Sequence, residues 1–154
     1  MSTPSLPPNV ERLLSEGNLD QLLQATLEHF TCQTGTIHQL REGVLRLTAN
    51  VGLPPHIAQI VDTVPIGKGI AGLAAERREP ITICNLQTDT SGQARPGAKA
   101  TGMEGSLAVP MLTDSGELRG VLGIAKASAH DWTPEETAQL EAVAKAIANR
   151  QEAA

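Results

Sequence analysis

Residues 64–84 read "VPIGKGIAGLAAERREPITIC", in which Gly67, Gly69 and Gly72 spell G-x-G-x-x-G between a short β-branched run and an Ala-rich helical segment. A dinucleotide site needs that turn after a central parallel strand, then a full crossover helix and an acidic residue about twenty positions on. Pro65 lies in the preceding run, and proline cannot donate to a central ladder. The helical segment from Gly69 to Arg78 meets Pro80 at once, which is short for a crossover. Asp89 has the right spacing but falls in a polar loop, and no G-x-x-x-x-G-K-[ST] occurs. The glycines therefore read as a tight turn, with Gly72, Ala71, Ala74 and Ala75 letting a short helix lie close on a sheet. The N–H groups at that helix start still favour an anion or an acceptor atom.

Working outward, Asn18 and Gln21 form an N-cap and capping-box pair, and Leu19, Leu22, Leu23, Leu27 and Phe30 recur at helical spacing. The pattern predicts a helix over 19–33, stopped by Gly35. A hairpin follows around Glu42-Gly43, because Leu45, Leu47, Ala49 and Val51 alternate with Arg46, Thr48 and Asn50. Pro55 to Ile60 reads as a short helix with proline in its first turn. Downstream, 81–84 reads as a strand, while 86–105 has no periodicity and is long enough to be a lid or a disordered loop. Residues 106–112 and 118–125 are nearly all-apolar runs joined by "TDSGE", hence paired strands. Thr133-Pro134-Glu135-Glu136 opens a last helix whose apolar face is Leu140, Val143, Ala144 and Ile147. Hairpin-linked strands with helices at both ends imply an α+β fold, a central antiparallel sheet with helices packed on it. Residues 1–17 read as a flexible tail and 18–154 as one domain, without an internal repeat.

Composition limits the function. The 154 residues suit one domain. With 12 basic and 17 acidic residues the net charge is −5, which argues against nucleic acid or an anionic membrane as partner. No apolar run approaches the ~18 residues that span a bilayer, and "MSTPSLPPN" lacks a signal pattern, so a cytoplasmic location is expected. Cys32 and Cys84 are far apart and form no C-x-x-C, which predicts reduced thiols, no structural zinc and no other metal site. Phe30 and Trp132 are the only Phe, Tyr or Trp residues, so there is little to stack a base or a flat chromophore on.

The chain from about Leu19 to Ala148 resembles the GAF domain family of small-molecule sensory domains. The resemblance rests on an ordered set. Gly69-Ile70-Ala71-Gly72 opens a short helix, a strand and Asn85 follow, Ser106 to Pro110 and Gly120-Val121-Leu122 form a hairpin, and "WTPEETAQLEAVAKAIA" is the capped final helix. It implies a six-stranded antiparallel sheet with the terminal helices on one face and a ligand pocket on the other. The family's cofactor classes leave marks that are missing here. Asn85 precedes Leu86 and no phenylalanine follows Phe30, against a cyclic nucleotide; Cys84 has no nearby histidine in sequence, against a bilin. Haem is disfavoured because His29, His38, His56 and His130 show no ligand spacing, although His38 sits on a strand that faces the implied pocket. The family's free-methionine sulfoxide reductases carry a reactive cysteine in the loop matching 86–105; this loop has none, so no enzymatic activity is expected.

Mapped onto this sequence, the resemblance implies a pocket of His38, Gly69, Ile70, Ala71, Asn85, Asp89, Arg95, Lys99, Met103, Ser106 and Ala108. Arg95 and Lys99, with Lys68 nearby, are candidates to close on an anionic ligand at the helix start; the alternative is that they serve loop solubility. Two functions stay open: a sensor that binds a small molecule, and an interaction module that dimerises through the terminal helices or passes a signal to an output domain or protein.

Overall fold

The computed structural model describes residues 6–94 and 99–153. Its elements run α1 (Pro8–Leu13), α2 (Leu19–Phe30), β1 (Thr34–Arg41), β2 (Val44–Val51), α3 (Pro55–Ile60), β3 (Thr63–Pro65), α4 (Gly69–Arg77), β4 (Ile81–Ile83), β5 (Gly105–Leu112), β6 (Leu118–Lys126) and α5 (Pro134–Ala153). The two helix starts legible in the sequence form as capping boxes. Asn18 Oδ1 accepts from the Gln21 N–H at 2.9 Å while Gln21 Oε1 accepts from the Asn18 N–H at 2.9 Å. At α5, Thr133 Oγ1 accepts from the Glu136 N–H at 3.1 Å and Glu136 Oε1 from the Thr133 N–H at 2.9 Å. Each box satisfies donors that the first helical turn leaves without intrahelical partners.

The strands form one six-stranded sheet in the order β3-β2-β1-β6-β5-β4, antiparallel at every step. Hairpins join β1 to β2 and β5 to β6, and the β1–β6 pairing joins the two hairpins at the sheet centre. Side chains alternate across the sheet. Ile37, Ala49, Leu107, Val109, Met111, Leu122 and Ile124 face one way, into a core with α1, α2 and α5. Leu45, Val64, Ile81, Ile83, Ala108 and Val121 belong to a second core with α4. Both sides of β5 and β6 are thus covered, which explains why those strands are apolar at nearly every position instead of alternating.

Two details differ from the sequence reading. Residues 8–17 are no loose tail: α1 starts with proline in its first turn and places Val10, fully buried, in the core beneath α2. Val10, Leu13 and Leu14 stand at helical spacing, but the pattern is a single turn behind a Pro-rich start and was too short to read. Helix α2 also ends three residues early, at Phe30, because Thr31 takes a left-handed conformation at φ 55°. Gly35 is not a helix stop but part of β1, where an added Cβ would lie 2.8 Å from Leu27 Cδ2, so glycine lets α2 sit on the sheet.

The three glycines of the opening stretch divide the work as the sequence reading expects. Gly67 and Gly69 have φ of 88° and 71°, the left-handed region that side chains avoid. Gly72 lies against the backbone: a Cβ there would sit 2.4 Å from the Pro65 carbonyl oxygen. The turn closes on itself through the Gly67 N–H to the Gly72 carbonyl at 2.8 Å and the Lys68 N–H to Pro65 at 3.2 Å.

Candidate functional site

Between the α4 side of the sheet and the start of α4 lies a cavity of about 330 Å³. It exists because the residues on that face are small. Ala108 of β5, Gly123 and Ala125 of β6, and Gly69 and Ala71 of α4 leave space that branched side chains would fill. Leu53, Ile60 and Val61, from the segment around α3, form another wall, and Leu86 and Thr101 contribute from the long loop. Ile60 is 59% exposed, the one large apolar side chain so exposed among the described residues. Polar groups are few: Thr34, Thr36, His38, Lys68, Thr101 and Ser106.

His38 sits in this wall by strand alternation. Its neighbour Ile37 enters the helical core, and a register irregularity between the two accompanies the change of side. Its ring is 3% exposed and its Nε2 lies 2.8 Å from the Val61 carbonyl oxygen. A carbonyl only accepts, so Nε2 carries the proton and Nδ1 is left as an acceptor. Burial pushes the imidazole below its ordinary value of 6.5, against upward pulls from the Val61 bond and the Asp62 charge. Lys68 stands at the N-cap of α4, and the first turn of that helix, Gly69, Ile70 and Ala71, lines the cavity beside it. A cation next to a helix N-terminus gives that end of the cavity a positive potential.

Of the residues the sequence put in a pocket, His38, Gly69, Ile70, Ala71, Ser106 and Ala108 line this cavity, with Lys68. Asn85, Asp89, Lys99 and Met103 do not; they tie the long loop to itself. Asn85 Oδ1 accepts from the Gln87 N–H at 2.9 Å and its Nδ2 donates to Glu104 at 3.3 Å. The Gln87 amide in turn donates to the carbonyls of Lys99 and Met103 at 3.0 and 2.8 Å. Lys99 Nζ donates to the Asp89 carbonyl at 3.4 Å, and the Asp89 carboxylate accepts from Ser91. Closure of Lys99 over the cavity is therefore not what its contacts support. Arg95 lies outside the described residues. The sequence reading found β6 and the α3 segment as elements but did not place them in the wall. Gly123, a glycine inside an apolar strand, was the available signal for β6, since such glycines often mark a close approach or an open space.

The cysteines stand apart from the cavity. Cys84 is exposed, and a hydrogen bond to the Asp131 carboxylate, with smaller contributions from desolvation and the Asp131 charge, pushes its thiol up. Burial raises Cys32 to about 11. Both conditions disfavour the thiolate, the form that reacts. Among the described residues no three His, Cys, Asp or Glu side chains are grouped to hold a metal ion, and no helix is long and apolar enough to cross a membrane.

Comparison with known proteins supplies the context for this geometry. The family model for the GAF domain matches residues 16–149. Among solved structures, the GAF domain of a phosphoenolpyruvate-protein phosphotransferase from Coxiella burnetii is 25% identical with a TM-score of 0.74, covering 96% of this chain and 84% of that one. A free methionine-R-sulfoxide reductase from Neisseria meningitidis, solved with its substrate, has a TM-score of 0.78 at 18% identity, over 95% of this chain and 86% of that one. A domain assigned to a two-component sensor histidine kinase protein from Sinorhizobium meliloti 1021 has a TM-score of 0.67 at 20% identity, over 84% and 86%. The last two likenesses concern the fold alone. No curated protein matches the chain.

Proposed function

The chain belongs to the GAF domain family, and from that premise we propose that it is a regulatory domain of signal transduction that senses a small molecule. The observation that carries the proposal is the cavity, which is mostly apolar, has a few polar groups on its walls and is bounded by the sheet, the α4 start and the long loop. Its volume falls in the range of small-molecule sites, about 300–1,000 Å³. Lys68 and the first turn of α4 favour a ligand that carries an anionic group at that end. The absence of catalysis is part of the proposal. The reductases of this fold share the sheet, but here Cys84 is outside the cavity, and Asp131 beside it pushes its thiol up, away from the reactive thiolate. A thermal-shift screen of nucleotides, organic acids, amino acids and inorganic anions tests the sensor. A ligand at 100 times its dissociation constant adds about 2.7 kcal/mol to unfolding. Loss of free methionine sulfoxide on incubation with the protein and a reductant would contradict the non-enzymatic part.

A second reading, an interaction module, draws on one feature of α5. Ala138, Ala142 and Ala146 repeat at four-residue spacing and stay half-buried, while Leu140, Val143, Ala144 and Ile147 fill the core. Small residues in such a row permit close helix packing against a second copy. Native mass spectrometry separates the two, because it reads oligomeric state and co-purified ligand together.

A further inference from the structure

Resting on the sensor reading, we infer that the ligand is a compact hydrophobic molecule without a positive charge, and that Ile60 covers it once bound. The walls set this chemistry. Leu53, Val61, Val64, Ile70 and Leu86 line the cavity from separate stretches of chain, whereas among the described residues no Asp or Glu lines it. His38 is neutral at pH 7, because burial holds it below 6.5, so Lys68 is the one charged side chain in that wall among the described residues. An ammonium group entering here would lose its water and meet no carboxylate, only the positive start of α4. An apolar body gains by the same move, since its surface leaves water. The space, about 330 Å³, equals about eleven water volumes of ~30 Å³ each, which suits a molecule of about ten non-hydrogen atoms.

Ile60 supplies the second, independent observation. It lines the cavity and is 59% exposed, the one large apolar side chain so exposed among the described residues, so it stands where the cavity meets solvent. It is the last residue of α3, whose Ile57 is buried and anchors the helix. A single exposed isoleucine is ordinary elsewhere on a surface; at the mouth of an apolar cavity it extends the wall. A hydrophobic ligand that fills the cavity to its mouth takes the place of the water against Ile60, and the two apolar surfaces leave water together.

The test titrates the full chain with 2-cyclohexylethanol and 2-cyclohexylethylamine, which differ only in the terminal hydroxyl or amine, the amine being protonated at pH 7. The expected result is binding of the alcohol about tenfold tighter, or more, than of the amine. Ile60→Ser changes a position that is already exposed, so it should melt at the wild-type temperature and bind the alcohol about fivefold more weakly. Ala108→Leu, which fills the cavity, should bind neither compound. Equal or tighter binding of the amine, or an unchanged affinity for the alcohol in Ile60→Ser, overturns the inference while leaving the sensor reading intact. Failure of the alcohol to bind, when a polar compound of the thermal-shift screen shifts the wild type and not Ala108→Leu, does the same. Failure of the alcohol together with a silent screen overturns the sensor reading itself.

Discussion

At the scale of the residue, His38 and Cys84 show how surroundings decide what a group does. His38 is held neutral, since its folded value lies below 6.5. Below pH 6.5 the unfolded chain takes up a proton that the folded chain resists. Stability conferred by the neutral ring is therefore full above 6.5 and is lost as the pH falls toward the folded value. Urea midpoints measured from about pH 8 down to about pH 5 should fall, and His38→Gln should remove part of that slope. The acid arm of Glu136 has the same sign at lower pH. Burial opposes its ionisation, but the Thr133 N–H and His130 outweigh burial and hold the carboxyl below its ordinary 4.5. Sequence marked His38 as the histidine of interest because it lies on a strand. It did not show that one nitrogen would be spent on Val61, since that carbonyl comes from a segment 23 residues away. The fate of Asn85 and Lys99 was hidden for the same reason: once the loop folds, the Asn85 amide donates to the Glu104 carboxylate and the Lys99 ammonium to the Asp89 carbonyl.

At the scale of the element, the informative pieces were local. Capping boxes at α2 and α5 need residues three apart, so they were legible before any tertiary structure. Thr133→Ala should destabilise the protein by about 1 kcal/mol, read from denaturant midpoints, because a first-turn donor of α5 loses its acceptor. Gly72 in α4 has a steeper requirement. Its Cβ would sit 2.4 Å from the Pro65 carbonyl, so Gly72→Ala should cost about 1–3 kcal/mol despite the better helix propensity of alanine. A neutral or stabilising effect in the same measurement would mean that α4 can move off β3. Helix α1 was missed because its apolar pattern, Val10, Leu13 and Leu14, spans only one turn, and it is fixed by packing into the helical core.

At the scale of the whole molecule, the sheet divides the protein into a stabilising side and a receptive side. The helical core of α1, α2 and α5 holds the larger group of buried side chains. The opposite face carries the smaller cluster with α4 and retains the cavity. The fold class was readable from hairpins, turn residues and terminal helices. The share of β6 and of the α3 segment in the cavity was not: Gly123 lines it between Ala108 of β5 and Thr36 of β1, and the α3 segment lines it through the return of the chain to β3. Ala108, 3% exposed on β5, marks the boundary between packing and space. Ala108→Leu should fill the cavity, keep or raise stability by up to about 2 kcal/mol, and abolish ligand binding. The most direct test of the central claim is therefore a paired thermal-shift screen of wild type and Ala108→Leu against the same panel of organic acids, amino acids, nucleotides and inorganic anions. The expected result is that at least one compound raises the wild-type midpoint in a saturable way and leaves Ala108→Leu unmoved; compounds that shift neither protein, or shift both equally, would contradict a ligand site in this cavity.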